Sequence, residues 1–199
     1  MRVFLVRHGQ TEWNVAGRAQ GHSDVGLDET GYAQAEKVAG VLEEEGINKI
    51  FSSDLQRCIE TADPLVNRLG IDLQTYSDLR ERTFGELEGS HYTEIRAYFS
   101  AESRVQGLEP FEIRPEGGES LKDVWKRLGK IHRTLERESR NVALFTHGGT
   151  CGLLLARLIR SQVATASSFR FENGAITELR RRPDGIFQLI RFADTSHLR

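Results

Sequence analysis

The chain opens on Val3-Phe4-Leu5-Val6, a short unbroken apolar run of the kind that forms a strand buried on both faces, and it leads into Arg7-His8-Gly9. Asp28 stands where it can cap a helix whose Tyr32, Ala35, Val38, Ala39 and Leu42 recur at helical spacing until Gly46. Ile47 to Phe51 predict a second strand. Ser53 or Asp54 would cap the next helix, which carries Leu55, Cys58, Ile59, Ala62, Leu65 and Leu69 and should kink at Pro64. Leu73 to Tyr76 fit a short third strand, and from Asp78 to Pro115 the pattern is weak apart from a short helix near Thr93 to Phe99.

The clearest amphipathic stretch follows Gly117-Gly118. Ser120 with Asp123 three positions on makes a helix start, and Leu121, Val124, Trp125, Leu128, Ile131 and Leu135 fall on one face. Asn141 to Thr146 predict another apolar strand, ending in His147-Gly148-Gly149, and Cys151 to Ile159 a buried helix. Three strands should close the chain, at Ser168 to Phe171, Ala175 to Leu179 and Ile186 to Phe192, the last two joined through Arg182-Pro183-Asp184-Gly185. Strands alternating with helices as far as residue 160 predict an α/β fold, a three-layer α/β/α sandwich around a mostly parallel sheet. Ligands of such sheets bind beyond the carboxyl ends of the strands.

Composition narrows the function. The 199 residues are expected to form a single domain over 1–199. Lys and Arg number 27 against 29 Asp and Glu, a net charge of −2, so the overall field attracts neither nucleic acid nor anionic lipid and any anion site must be local. Cys58 and Cys151 are too few for a disulfide framework, no apolar run reaches membrane-spanning length and no signal peptide precedes the first strand. A cytoplasmic protein, monomeric or homodimeric, is expected.

Three polar groups fall at predicted strand ends: Arg7-His8, the stretch from Ser52 to Arg57, and His147-Gly148. In a parallel sheet they converge on one edge, and Arg57 lies in the first turn of a helix, whose free amides favour an anion. Histidine beside arginine in that position has the outline of a nucleophile with its anion clamp, next to a glycine that lets a ligand approach the backbone.

In chain order, Arg7-His8-Gly9 with Asn14, Ser52-Ser53-Asp54-Leu55 with Arg57 and Thr61-Ala62, Leu79-Arg80-Glu81 with Gly85 and Glu88-Gly89, Gly117-Gly118-Glu119-Ser120, and His147-Gly148 resemble the histidine phosphatase superfamily, phosphoglycerate-mutase-like branch. The resemblance implies His8 as the residue that takes up a phosphoryl group, with Arg7, Arg57 and His147 around the phosphate. It also implies Asn14 and Gly148 as further phosphate contacts, Gln20 and Gly21 facing the substrate, and Glu81 as the proton donor. No metal and no cofactor is implied. The substrate would be a small phosphorylated metabolite, hydrolysed through a phosphohistidine, with residues 90–116 a candidate segment for covering it. The chemistry is consistent: two guanidiniums and an imidazolium would neutralise a phosphate dianion, and a carboxylic acid would protonate the departing alkoxide.

Rival readings are a phosphoglycerate mutase-type phosphotransferase, an alpha-ribazole-5'-phosphate phosphatase, and a non-catalytic module that binds phosphorylated ligands. Mutases of the family carry longer segments than Ser90 to Glu116 at that point, which favours hydrolysis. Glu12 and Glu88 compete with Glu81 for the acid, His22 and His91 are further candidates for reaching the substrate, and His132 and His197 read as structural. Cys151 and Arg157 have the spacing of a cysteine-dependent phosphatase, but bulky residues between them read as helix.

Overall fold

The computed structural model describes all residues, 1–199. Its strands are β1 (Arg2–Arg7), β2 (Lys49–Ser52), β3 (Leu73–Thr75), β4 (Val142–Thr146), β5 (Ile176–Arg181) and β6 (Phe187–Asp194). They form one six-stranded sheet in the order β3-β2-β4-β1-β5-β6. β1 to β4 run parallel, and β5 with β6 adds an antiparallel hairpin at the β1 edge.

The helices are α1 (Glu12–Val15), α2 (Glu29–Leu42), α3 (Gln56–Leu69), α4 (Tyr92–Gln106), α5 (Leu121–Arg137) and α6 (Gly148–Leu158). Alternation along β1 assigns them to layers. Phe4 and Val6 pack with Val38, Leu42, Ala62 and Leu65 of α2 and α3, whereas Val3 and Leu5 pack with Leu128, Leu135, Leu154 and Leu158 of α5 and α6. Both faces of β1 are thus dry, as an unbroken apolar strand requires. No helix is long and apolar enough to cross a membrane.

Several expectations change. Residues 168–171 form no strand; the chain there passes from a 3-10 turn at Val163–Ser168 into an irregular segment. The short helix near Thr93 extends over α4, fastened by a cap in which His91 Nδ1 accepts from Thr93 N and Glu94 accepts from His91 N at 2.8 Å. Neither Ser53 nor Asp54 caps α3. Its first amide, Gln56 N, donates instead to Asp24, 32 residues away, because Asp54 is taken by Arg80. α3 also continues through Pro64 to the left-handed Gly70. The box at Ser120 and Asp123 forms as expected.

Candidate active site

His8 follows the last residue of β1 and is 3% exposed. Its amide donates to Thr146 O at 2.9 Å, so β4 fixes the backbone that carries the ring. Its Nδ1 lies 2.7 Å from Gly9 O. A carbonyl can only accept, so the proton of a neutral ring sits on Nδ1 and Nε2 keeps a bare lone pair. Burial first, then the charges of Arg57 and Arg7, hold the ring's pKa well below the ordinary histidine value. The imidazole is therefore neutral and aimed by its own main chain.

Gly9 does not serve ligand approach. A Cβ there would stand 2.6 Å from Gly31 O, so the missing side chain makes room for the first turn of α2. Its carbonyl is steadied from the other end of the chain. Asn173 Nδ2 lies 3.1 Å from Gly9 O, 3.0 Å from His8 O and 3.0 Å from Asn14 Oδ1. Asn14 Oδ1 also accepts from Thr11, leaving Nδ2 as its end available to a ligand.

Arg57 is 1% exposed, and its three nitrogens are aimed: Nε donates to His147 Nδ1 at 3.2 Å, Nη1 to Ser23 O and Nη2 to Gly21 O, both at 2.9 Å. A guanidinium can only donate, so His147 carries its proton on Nε2, which faces Ser53 Oγ at 2.9 Å. Burial, then Arg57 and His8, push the His147 pKa well below its ordinary value. The imidazolium expected of His147 is thus a neutral ring in the unliganded molecule, and the standing positive charge comes from Arg7 and Arg57. Arg7 donates from Nη1 to Phe171 O at 2.7 Å while its buried Nε has no partner. The His8 and His147 rings meet edge to face, 5.3 Å between centroids.

Glu81 reaches the same place from the loop after β3. Its Oε2 accepts from Gly149 N and its Oε1 from Arg82 N, each at 2.9 Å. A Cβ on Gly149 would come within 2.7 Å of Oε1, so this approach depends on glycine. The arginines flanking Glu81 are both turned away. Arg80 forks onto Asp54 at 2.7 and 2.6 Å, and Arg82 donates to the Glu119 and Ile113 carbonyls.

All nine residues singled out from the sequence, Arg7, His8, Asn14, Gln20, Gly21, Arg57, Glu81, His147 and Gly148, line one cavity of about 350 Å³ beyond the carboxyl ends of β1 and β4. The competing residues lie elsewhere or are spent. Glu88 is bonded to the His22 amide, Ser23, Thr83 and the Phe84 amide; burial pushes its carboxyl up, but these bonds outweigh that and hold it below the usual carboxylate range. His22 Nε2 faces the Glu81 carbonyl at 2.9 Å, and His91 caps α4. Cys151 is fully buried within α6, its thiol pushed far up by burial, and Arg157 lies over Trp125 at 4.9 Å. No His, Cys, Asp and Glu side chains are grouped as three or more metal donors.

Sequence reasoning missed part of the wall. Tyr92, the contribution of residues 90–116 to this cavity, is joined by Leu121 and by Ala166, Phe169, Arg170 and Phe171. The last four occupy the connection between α6 and β5, where no periodicity marks an inward residue. The same holds for Asn173, in the same connection.

Comparison with known proteins agrees with this geometry. The family model of the histidine phosphatase superfamily (branch 1) matches residues 3–195. A probable phosphatase of Schizosaccharomyces pombe is 32% identical across 100% of this chain and 95% of its own length. A 2,3-bisphosphoglycerate-dependent phosphoglycerate mutase of Cytophaga hutchinsonii is 32% identical over 78% of this chain and 76% of its own. Among solved structures, the mycobacterial glucosyl-3-phosphoglycerate phosphatase in complex with VO3 superposes with a TM-score of 0.84 at 32% identity, covering 98% of this chain and 99% of that one.

Proposed function

The chain belongs to the histidine phosphatase superfamily, branch 1, and is a phosphoric monoester hydrolase; we propose that it cleaves small phosphomonoesters in two steps through a phosphohistidine on His8, without a metal. The observation that carries this reading is the hydrogen bond from His8 Nδ1 to Gly9 O, which leaves Nε2 as a ready nucleophile on a ring that lines one cavity with Arg7 and Arg57.

In the first step the Nε2 lone pair forms a bond to phosphorus while the bond from phosphorus to the ester oxygen breaks. The Glu81 carboxyl gives its proton to the leaving oxygen, and an alcohol departs. Arg7, Arg57 and the Asn14 amide hold the phosphoryl oxygens. The unpartnered Arg7 Nε supplies a donor that nothing in the protein uses. His147, whose Nδ1 accepts from Arg57 Nε, stays neutral and holds that guanidinium in place. In the second step Glu81 takes a proton from water, the oxygen attacks phosphorus, and the bond from phosphorus to Nε2 breaks to release inorganic phosphate and restore the free imidazole.

Hydrolysis is favoured over return of the group to a second phosphoglycerate by the disposition of cations. Arg80, Arg82 and Arg127, which flank or contact Glu81, are committed to Asp54, to backbone carbonyls and to Glu119, and Arg170, the third arginine lining the cavity, is exposed. They leave no buried clamp for the carboxylate of such an acceptor. The test is an assay on p-nitrophenyl phosphate and on 3-phosphoglycerate, with chelator present. Phosphate release from the first without isomerisation of the second is expected, and isomerisation faster than release would replace the phosphatase by a mutase.

A further inference from the structure

Resting on the reading of this site as a phosphatase, we propose that its preferred substrates are monoesters of uncharged alcohols or phenols that carry an apolar body, seated in a groove that continues from the catalytic cavity.

The catalytic cavity is chemically mixed. Its lining combines the polar His8, Arg7, Arg57 and His147 with the apolar Leu121, Leu153, Ala166, Phe169 and Phe171. At Leu121 and Ser167 the lining passes into a second hollow of about 400 Å³, bounded by Phe99, Phe111, Val163 and Ala164. Phe111 comes from the loop after α4 and Val163 from the turn after α6, and with Phe99 and Ala164 they give this hollow apolar walls.

Charge reinforces the assignment. Arg82 lies at the base of this second hollow, but its Nε and Nη2 are spent on the Glu119 and Ile113 carbonyls at 2.6 and 2.8 Å, and its guanidinium lies 4.0 Å over the Phe99 ring. The guanidinium keeps its charge but lies against Phe99, with only Nη1 left unpaired. Lys122, above Phe111, is engaged with Glu112, and Glu109 on the rim repels an anion. A substrate with a second phosphate or a carboxylate finds, besides Arg82 Nη1, only the exposed Arg170 at the mouth. An apolar body finds continuous wall, and each methylene it buries should tighten binding about threefold to fourfold.

The experiment uses two series on the full chain. Methyl-, butyl- and octylphosphonate, which cannot be hydrolysed, are titrated by calorimetry, and the corresponding alkyl phosphates are assayed for phosphate release, with 3-phosphoglycerate as the charged competitor. Affinity and kcat/KM should both rise at least tenfold from methyl to octyl, and octyl phosphate should outcompete 3-phosphoglycerate. Val163→Asp should bring the octyl-to-methyl ratio close to one. Flat phosphonate binding, or preference for 3-phosphoglycerate, overturns the groove assignment even if hydrolysis proceeds. Length-dependent phosphonate binding with no turnover of any ester would uphold the groove and refute the phosphatase reading.

Discussion

Asn173 and Gly9 are separated by most of the chain, yet the Asn173 amide lies 3.1 Å from the same Gly9 carbonyl that accepts the His8 Nδ1 proton. The turn leading into β5 thereby steadies the acceptor that decides which imidazole nitrogen is free to react. Asn173→Ala removes that support and the contact to Asn14 together. Loss of one neutral hydrogen bond costs about 1 kcal/mol. The expected result is a fall in kcat of about tenfold or more with an unchanged circular dichroism spectrum. A change in KM alone would mean that Asn173 serves only Asn14.

Glu81→Gln tests the acid. Removing a general acid typically costs about a hundredfold or more, and the loss should depend on the leaving group. Alkyl phosphates need the proton and should suffer most; p-nitrophenyl phosphate, whose phenolate departs unaided, should lose far less. Equal losses on both would indicate that Glu81 only positions Gly149. Glu88→Gln, by contrast, should cost stability, since that carboxylate fastens the loop amides of His22, Ser23 and Phe84.

The two buried imidazoles also predict how stability depends on pH. Folding lowers the pKa of His8 and of His147, so below the unfolded value of about 6.5 the unfolded chain binds more protons than the folded one. Their contribution is complete above about pH 6.5 and is lost as pH falls below it towards the folded values. Urea unfolding of the unliganded protein should show stability dropping from pH 7.5 to pH 5.5. His8→Asn should flatten that drop, and an unaltered slope would contradict the assignment.

Cys151→Ser should retain most activity. The thiol is wholly buried in α6 and pushed far above its ordinary pKa, and Arg157 is stacked on Trp125 away from it. Thiol-modifying reagents should likewise leave phosphate release intact under native conditions. A loss comparable to that of His8→Ala would redirect the chemistry to the cysteine.

What could be read from the sequence follows the range of the forces involved. The apolar run of β1 and the box at Ser120 are local and form where expected. The first amide of α3 is satisfied by Asp24, a partner chosen by tertiary structure, and neither Ser53 nor Asp54 caps the helix. The polar cage was legible because each member sits at a strand end, beside glycine or in a first helical turn. Phe169, Phe171 and Asn173 lie in an irregular connection, and Ser168 to Phe171 reads as a strand because an apolar residue facing a cavity and one facing a core leave the same trace.

The most direct test of the central claim is rapid acid-free quenching of the enzyme during turnover of a labelled phosphomonoester, followed by peptide mapping. The account predicts a phosphoryl group on His8 that survives alkali, is lost in acid, and is absent from His8→Ala. Label on any other residue, or steady turnover by His8→Ala, would contradict it.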